Sequence, residues 1–175
     1  MRKLFCLFSV LFLLSIIAFG QRKDNSSLIY GTGIAFRVTP PAGWAQDSTP
    51  RLMHGEHTVF FPMSQKWQTA PVVIFIAVCD HEGKLSEFID KDLLSYKKTK
   101  KNIVIRNGNS IKTYNDGRAE VKEVLGDEYG NYEAIAYIKE EKAVVMVILS
   151  TKNEGRYNSN YERFEKVVKS YKIVE

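Results

Sequence analysis

Residues 132–151 constrain this chain more than any other stretch. Two apolar runs, Ala134-Ile135-Ala136-Tyr137-Ile138 and Ala143-Val144-Val145-Met146-Val147-Ile148-Leu149, flank the charged break Lys139-Glu140-Glu141-Lys142. Runs of strand length on either side of a polar tetrad read as a β-hairpin. The second run is apolar at odd and even positions alike. Successive side chains of a strand point to opposite faces, so both faces of this one must be covered. Fully burying a Val, Ile or Leu side chain is worth roughly 1.5–3 kcal/mol, so Val144 to Leu149 together supply on the order of 10 kcal/mol. That is comparable with the net stability of a whole domain. The stretch Ala143 to Leu149 holds no ionisable group, so it dictates packing and no chemistry.

A second doubly apolar run, Pro71-Val72-Val73-Ile74-Phe75-Ile76-Ala77-Val78-Cys79, is rich in β-branched residues and reads as another central strand. After the turn Asp80-His81-Glu82-Gly83, Leu85, Phe88, Ile89, Leu93 and Tyr96 recur at helical spacing. Lys97-Lys98-Thr99-Lys100-Lys101 closes that helix with charge that complements its C-terminal dipole. Tyr161, Phe164, Val167, Val168 and Tyr171 form the stripe of a final helix, and Ser159 with Glu162 predicts a capping box after a polar loop at Lys152–Arg156. Asn115-Asp116-Gly117 marks a hairpin between Ile111–Tyr114 and Arg118–Leu125. Gly33–Val38 reads as the first strand, stopped by Pro40 and Pro41. Gly43 then turns the chain, Trp44 buries a large ring, and Ala45–Gly55 reads as a loop before the short strand Thr58–Phe61. Ala134 and Ala136 share a face, which lets a helix approach closely. The expected class is α+β: a largely antiparallel sheet with helices packed on both faces, an α/β/α sandwich.

The strand Ile34–Val38 running into Pro41-Ala42-Gly43-Trp44, the run Thr58-Val59-Phe60-Phe61-Pro62, the Asn115-Asp116-Gly117 hairpin and the terminal helix with Phe164, Val167, Val168, Ser170 and Tyr171 follow one order. In that order the chain resembles the PsbP-like family, whose α/β/α sandwich is shared with the Ran-binding Mog protein. The likeness spans roughly Ile34 to Val174. It implies a fold, a non-catalytic accessory role and a structural Trp44. It implies no site residues, because the family shares no active-site motif.

The start of the chain reads differently. Arg2 and Lys3 precede the sixteen uncharged residues Leu4–Phe19, and Ala18-Phe19-Gly20 offers small residues before Gln21. That is a secretory signal peptide over 1–20. Its apolar run falls short of the roughly 20 residues that span a bilayer. Residues 21–30 read as a polar, flexible lead-in, and 31–175 as a single globular domain. Asn25-Ser26-Ser27 is a sequon that matters only in a eukaryotic secretory route. Removing Arg2 and Lys3 from the 25 basic residues leaves 23 against 20 acidic, a net charge of +3. Such balance does not argue for nucleic acid or an anionic membrane surface, and with no second long apolar run no stable membrane insertion is expected after cleavage. Cys79 remains as one cysteine and cannot form an internal disulfide.

Candidate chemistry is sparse. His54-Gly55-Glu56-His57 offers two histidines and a carboxylate, but a zinc protease needs them at i and i+4 on a helix. Cys79-Asp80-His81 ends a buried strand, which favours a buried, inert thiol. Lys97–Lys101 invites an anion, though a helix end explains it. Tyr157 and Tyr161, if exposed beside the final loop, would form a protein-contact patch. The reading is therefore an exported, periplasmic or extracellular, non-enzymatic binding module with a protein partner, no cofactor and no metal. The alternative is a metal-dependent or hydrolytic enzyme using His54, His57 or His81. Mass spectrometry of the native protein is expected to find an N-terminus near Gln21, and an intact Met1 in the soluble fraction would overturn the signal-peptide reading.

Overall fold

The computed structural model describes residues 25–31, 33–48 and 56–174 of the 175-residue chain. The predicted hairpin forms its centre. Strand β9 (Tyr132–Lys139) and strand β10 (Ala143–Thr151) pair antiparallel, with Val145 opposite Ile138 and Leu149 opposite Ala134. On its other edge β10 pairs antiparallel with β5 (Val72–Asp80), the second doubly apolar run, from Ala143 opposite Asp80 to Thr151 opposite Val72. The remaining strands extend outward from these three. They are β3 (Trp44–Asp47), β4 (Glu56–Pro62), β6 (Val104–Asn107), β7 (Ile111–Lys112) and β8 (Arg118–Leu125). The sheet order is β3-β4-β5-β10-β9-β8-β6, with β7 paired beside β8.

The alternation within β10 sorts the molecule into layers. Val145, Val147 and Leu149 lie with Ile74, Ile76, Ala134 and Ala136 against Phe164, Val167 and Val168 of the terminal helix α2 (Glu154–Lys169). Val144 and Met146 lie with Ala77, Ile135 and Tyr137 against Ile89, Leu85, Phe88, Leu93 and Tyr96 of α1 (Leu85–Thr99). Helices thus cover both faces of an antiparallel sheet, as the doubly apolar strands require. Ala134, Ala136 and Ala143 are fully buried on the α2 face, where small side chains admit the helix. A third cluster, Val59, Phe61 and Val73 under Trp67, lies where a single 3₁₀ turn (Trp67–Thr69) packs. Among the described residues, no helix is long and apolar enough to cross a membrane.

Several local readings are corrected. Part of the expected lead-in is ordered: β1 (Ser27–Gly31) pairs with β2 (Ile34–Val38), which pairs in turn with the closing strand β11 (Lys172–Ile173). Ile29 is the buried anchor of β1, and one apolar residue gives no periodicity to read. A Cβ on Gly31 would stand 2.7 Å from a Val78 methyl, so this second sheet presses closely on β5. The loop expected from Ala45 begins instead as edge strand β3, with Asp47 opposite Val59. Edge strands bury little and need not look apolar. Helix α2 begins at Glu154, ahead of the predicted capping box. The Asn153 side chain accepts from the Arg156 N–H at 2.9 Å and is the true cap, while Ser159 lies inside the helix and donates to the Arg156 carbonyl. Both Asn and Ser cap well, so the sequence offered two starts. Val104 and Ile105 begin β6, with Ile103 just ahead of it.

Gly43 adopts φ +76°, the Trp44 N–H donates to the Pro41 carbonyl at 3.1 Å, and the Trp44 ring enters the α2-side core. Trp44→Ala is expected to cost about 3–5 kcal/mol, as core aromatic truncations do. Urea unfolding followed by circular dichroism measures it. A loss under about 1 kcal/mol, typical of surface changes, would contradict a structural Trp44.

Candidate functional site

The two helices cover the sheet unequally. Helix α1 buries Ile89 as its one fully buried residue and leaves the middle of β5 and β10 partly open. The result is a groove of about 630 Å³ between α1 and the sheet. Its floor is Phe75, Ala77 and Cys79 from β5 with Met146 and Ile148 from β10, and Asp92, Ser95 and Tyr96 form the helix wall. Lys100 and Glu133 stand at one end. Phe75 also lines a second hollow of about 580 Å³, bounded by Gln68–Pro71, Asn131, Ser150–Asn153 and Arg156.

The polar groups of the first groove are held in pairs. Tyr137 rises from β9 beneath the helix and donates its hydroxyl proton to Asp92 Oδ2 at 2.6 Å. Burial raises the Asp92 carboxyl above its ordinary value, with the Tyr137 hydrogen bond pulling the other way. Burial first, then the charge of Asp92, push the Tyr137 phenol far above its usual range, so it remains a donor. Lys100 Nζ lies 4.8 Å above the Tyr96 ring, 3.4 Å from Asp127 Oδ2 and 3.5 Å from Glu133 Oε1. Asp127 also accepts from the N–H groups of Tyr129 and Asn131 and from the Asn131 side chain. Burial alone would raise its carboxyl, but these donors and Lys100 outweigh that and hold it below the ordinary value. Glu133 is served less well. Ser150 Oγ donates to Oε1 at 3.3 Å, while Oε2 is buried and has no partner among the described residues.

The residues singled out in the sequence fall elsewhere. His54 lies outside the described residues. His57 is the extra residue of a bulge in β4, with a buried Nδ1 that has no partner among the described residues. Glu56, its neighbour, pairs with Ala77, and His81 lies four residues farther on, a span of about 13 Å along extended chain. His81 Nε2 is 3.0 Å from the Lys84 carbonyl and its ring meets Phe88 at 5.3 Å, so it braces the turn into α1. The structure therefore does not bring His57 and His81 together. Among the described residues, no group of three or more His, Cys, Asp or Glu could hold a metal ion. Cys79, expected to be buried, is half-buried on the groove floor and takes part in no disulfide. The expected exposed Tyr157–Tyr161 pair is corrected: Tyr157 is buried in the α2-side core, 6.2 Å from Tyr132 and 5.7 Å from Tyr161. Helix α2 begins earlier than the capping box implied, which turns Tyr157 inward. Of the basic stretch, Lys97 and Lys98 sit in the last turn of α1, and Lys100 turns to the acidic end of the groove.

Asp92, Asp127 and Glu133 were not visible as a group. One signal existed: Asp92 is four residues from both Phe88 and Tyr96, so it interrupts the buried stripe of α1 with a carboxylate. The two carboxyls respond to pH with opposite sign. A raised folded-state value means that the Asp92 contribution is present below the ordinary 3.8 and lost as pH rises through the folded value. The Asp127 contribution is present above the ordinary 3.8 and lost as pH falls through a lower folded value. Asp92→Asn is therefore expected to gain on the wild type as pH rises from 3 towards 7, and Asp127→Asn to lose ground. Denaturant unfolding across that range measures both, and equal slopes for the two variants would refute the assignment.

No protein-family model and no curated protein sequence matches the chain. Solved structures do. Cyanobacterial PsbP (CyanoP) from Synechocystis sp. PCC 6803 superposes with a TM-score of 0.57 at 13% identity, covering 90% of this chain and 98% of that one. The Ran-binding protein Mog1p of Saccharomyces cerevisiae superposes with a TM-score of 0.52 at 14% identity, covering 86% of this chain and 96% of that one. The domain has the α+β fold that these two share, as its sequence order implied.

Proposed function

We propose that this chain is an exported, non-enzymatic accessory module that acts by binding another protein. The observation that carries the reading is the construction of the groove under α1. An apolar floor is bordered by side chains committed to one another, Tyr137 to Asp92 and Lys100 to Asp127 and Glu133. Such a surface recognises shape and charge, and its titratable groups are spent on holding the fold. The fold supports the reading, since a protein that shares it, Mog1p, is a Ran-binding protein. The signal-peptide pattern at residues 1–20 supports export, to the periplasm or the extracellular space, followed by function without a membrane anchor. Among the described residues, the rival, a metal-dependent or hydrolytic enzyme, draws its support from the buried Nδ1 of His57, which has no partner there.

Tagged mature protein is expected to retain a defined partner from the native envelope fraction at near-equal stoichiometry, read by quantitative mass spectrometry. Metal analysis of the same preparation tests the rival. Stoichiometric zinc that disappears in a His54→Ala, His57→Ala double variant would displace the binding reading.

A further inference from the structure

We propose that the hollow bounded by the 3₁₀ turn, the adjoining ends of β5 and β10 and the start of α2 binds a small organic anion, a carboxylate or phosphate carried on an aromatic or aliphatic body. This goes beyond the partner-binding role and does not rest on it. The hollow measures about 580 Å³, and the charged residues that line it are Lys152 and Arg156, both cationic and both exposed. Neither side chain has a hydrogen-bond or ion-pair partner among the described residues. Arg156 engages only its backbone, whose N–H donates to Asn153 Oδ1 and whose carbonyl accepts from Ser159 and Asn160. Lys100 shows the contrast, since its ammonium is held between Asp127 and Glu133. Those two carboxylates are committed there, with side chains 1% and 13% exposed, and neither lines the hollow. Glu154, at the start of α2, does not line it either.

The neutral polar groups of the lining are mostly engaged. Ser150 Oγ donates to Glu133, Thr151 Oγ1 to the Pro71 carbonyl, Thr69 Oγ1 to the Lys66 carbonyl, and the Asn131 amide to Asp127. The Gln68 amide has no partner among the described residues. What the hollow offers a ligand is therefore two cations and one amide over an apolar floor. Such a site repels a second cation and attracts an anion, more strongly where apolar walls exclude water. The guanidinium presents two parallel donors to a carboxylate or a phosphate, and the ammonium adds a point charge. The floor selects the rest of the ligand. Val73 is buried and Phe75, Ala70 and Pro71 are half-buried, so carbon laid on them leaves water as it binds. The volume falls in the range of small-molecule sites, which selects a free organic anion over a bare inorganic ion.

The test is an NMR titration of the ¹⁵N-labelled mature protein with phenylacetate and with phenyl phosphate. The comparisons are neutral phenylacetamide, cationic benzylamine, and acetate and inorganic phosphate, which have the head without the body. At least one aryl anion is expected to shift the amides of Thr69, Ala70, Thr151 and Arg156 saturably. It is expected to bind at least about tenfold more tightly than any of the four comparison compounds, as charge-assisted hydrogen bonds over an apolar floor require. The stronger of the two aryl anions identifies the head. The double variant Lys152→Gln, Arg156→Gln changes two exposed side chains, and it is expected to bind that anion no more tightly than the wild type binds phenylacetamide. Lys166→Gln, in the last turn of α2, is expected to bind as the wild type does. An equal loss in Lys166→Gln and in the double variant would reduce the effect to net charge and overturn the proposal. Phenylacetamide or benzylamine binding as tightly as both aryl anions would overturn it on the wild type alone, whatever the variants do. An absence of saturable shifts at these amides would do the same. Inorganic phosphate or acetate matching its aryl counterpart would show an ion site without a floor and sink the organic ligand.

Discussion

Strand β10 is the constraint on which the rest depends. It is paired on both edges, by β5 and β9, and covered on both faces, by α1 and α2. From Ala143 to Val147 a strand in that position has almost no surface left for water. Its side chains are therefore apolar on both faces from Ala143 to Leu149, and its backbone groups must be taken up by neighbouring strands. Once β10 is placed, β5 and β9 have fixed registers, because a slip of one residue would exchange the faces on which Val145 and Met146 lie. The two helices follow from those faces.

The coverage is asymmetric, and the asymmetry leads to the groove. Helix α2 presents Tyr157, Phe164, Val167 and Val168 to alanine-rich strands and closes its side completely. Helix α1 is more polar on its buried side. It carries Asp92 towards the sheet, where Tyr137 meets it, and a helix held off by a hydrogen-bonded pair cannot settle as deeply as one packed on alanine. The acidic end then depends on Lys100, just past the last turn of α1, reaching across to the loop of Asp127 and to the start of β9.

What was legible in the sequence was whatever repeats. The doubly apolar runs Val72–Cys79 and Ala143–Leu149, the stripes of both helices and the Asn115-Asp116-Gly117 turn all announce themselves by period or by turn chemistry, and all are present. Strands β1 and β3 were missed because each contributes a single fully buried side chain, Ile29 or Trp44. The start of α2 was misplaced because Asn153 and Ser159 are equally good caps, and Gly155 in the first turn disguises a helix. The candidate site was hardest to foresee. Asp92, Asp127 and Glu133 come from a helix, a turn and a strand, and the Lys100–Glu133 contact joins residues 33 apart. A charge cluster assembled by the fold leaves no spacing to detect. Only Asp92, a carboxylate within an apolar stripe, was out of place on the page.

The small sheet has a consequence for the order in which the molecule can be made. Strand β2 is held between β1 and β11, with Phe36 opposite Ile173, the Val174 N–H donating to the Ala35 carbonyl, and the Phe36 ring 5.0 Å from Tyr171. The first hairpin is thus fastened by the last residues of the chain, and β5 likewise waits for β10. A chain that emerges N-terminus first carries β1 to β5 with no partner for the edge of β5 until residue 151 is free. It cannot complete the small sheet until residue 173 follows. Contacts this distant in sequence keep the growing chain open and slow its closure. A fragment that stops before Tyr171 lacks both β11 and the ring that packs on Phe36.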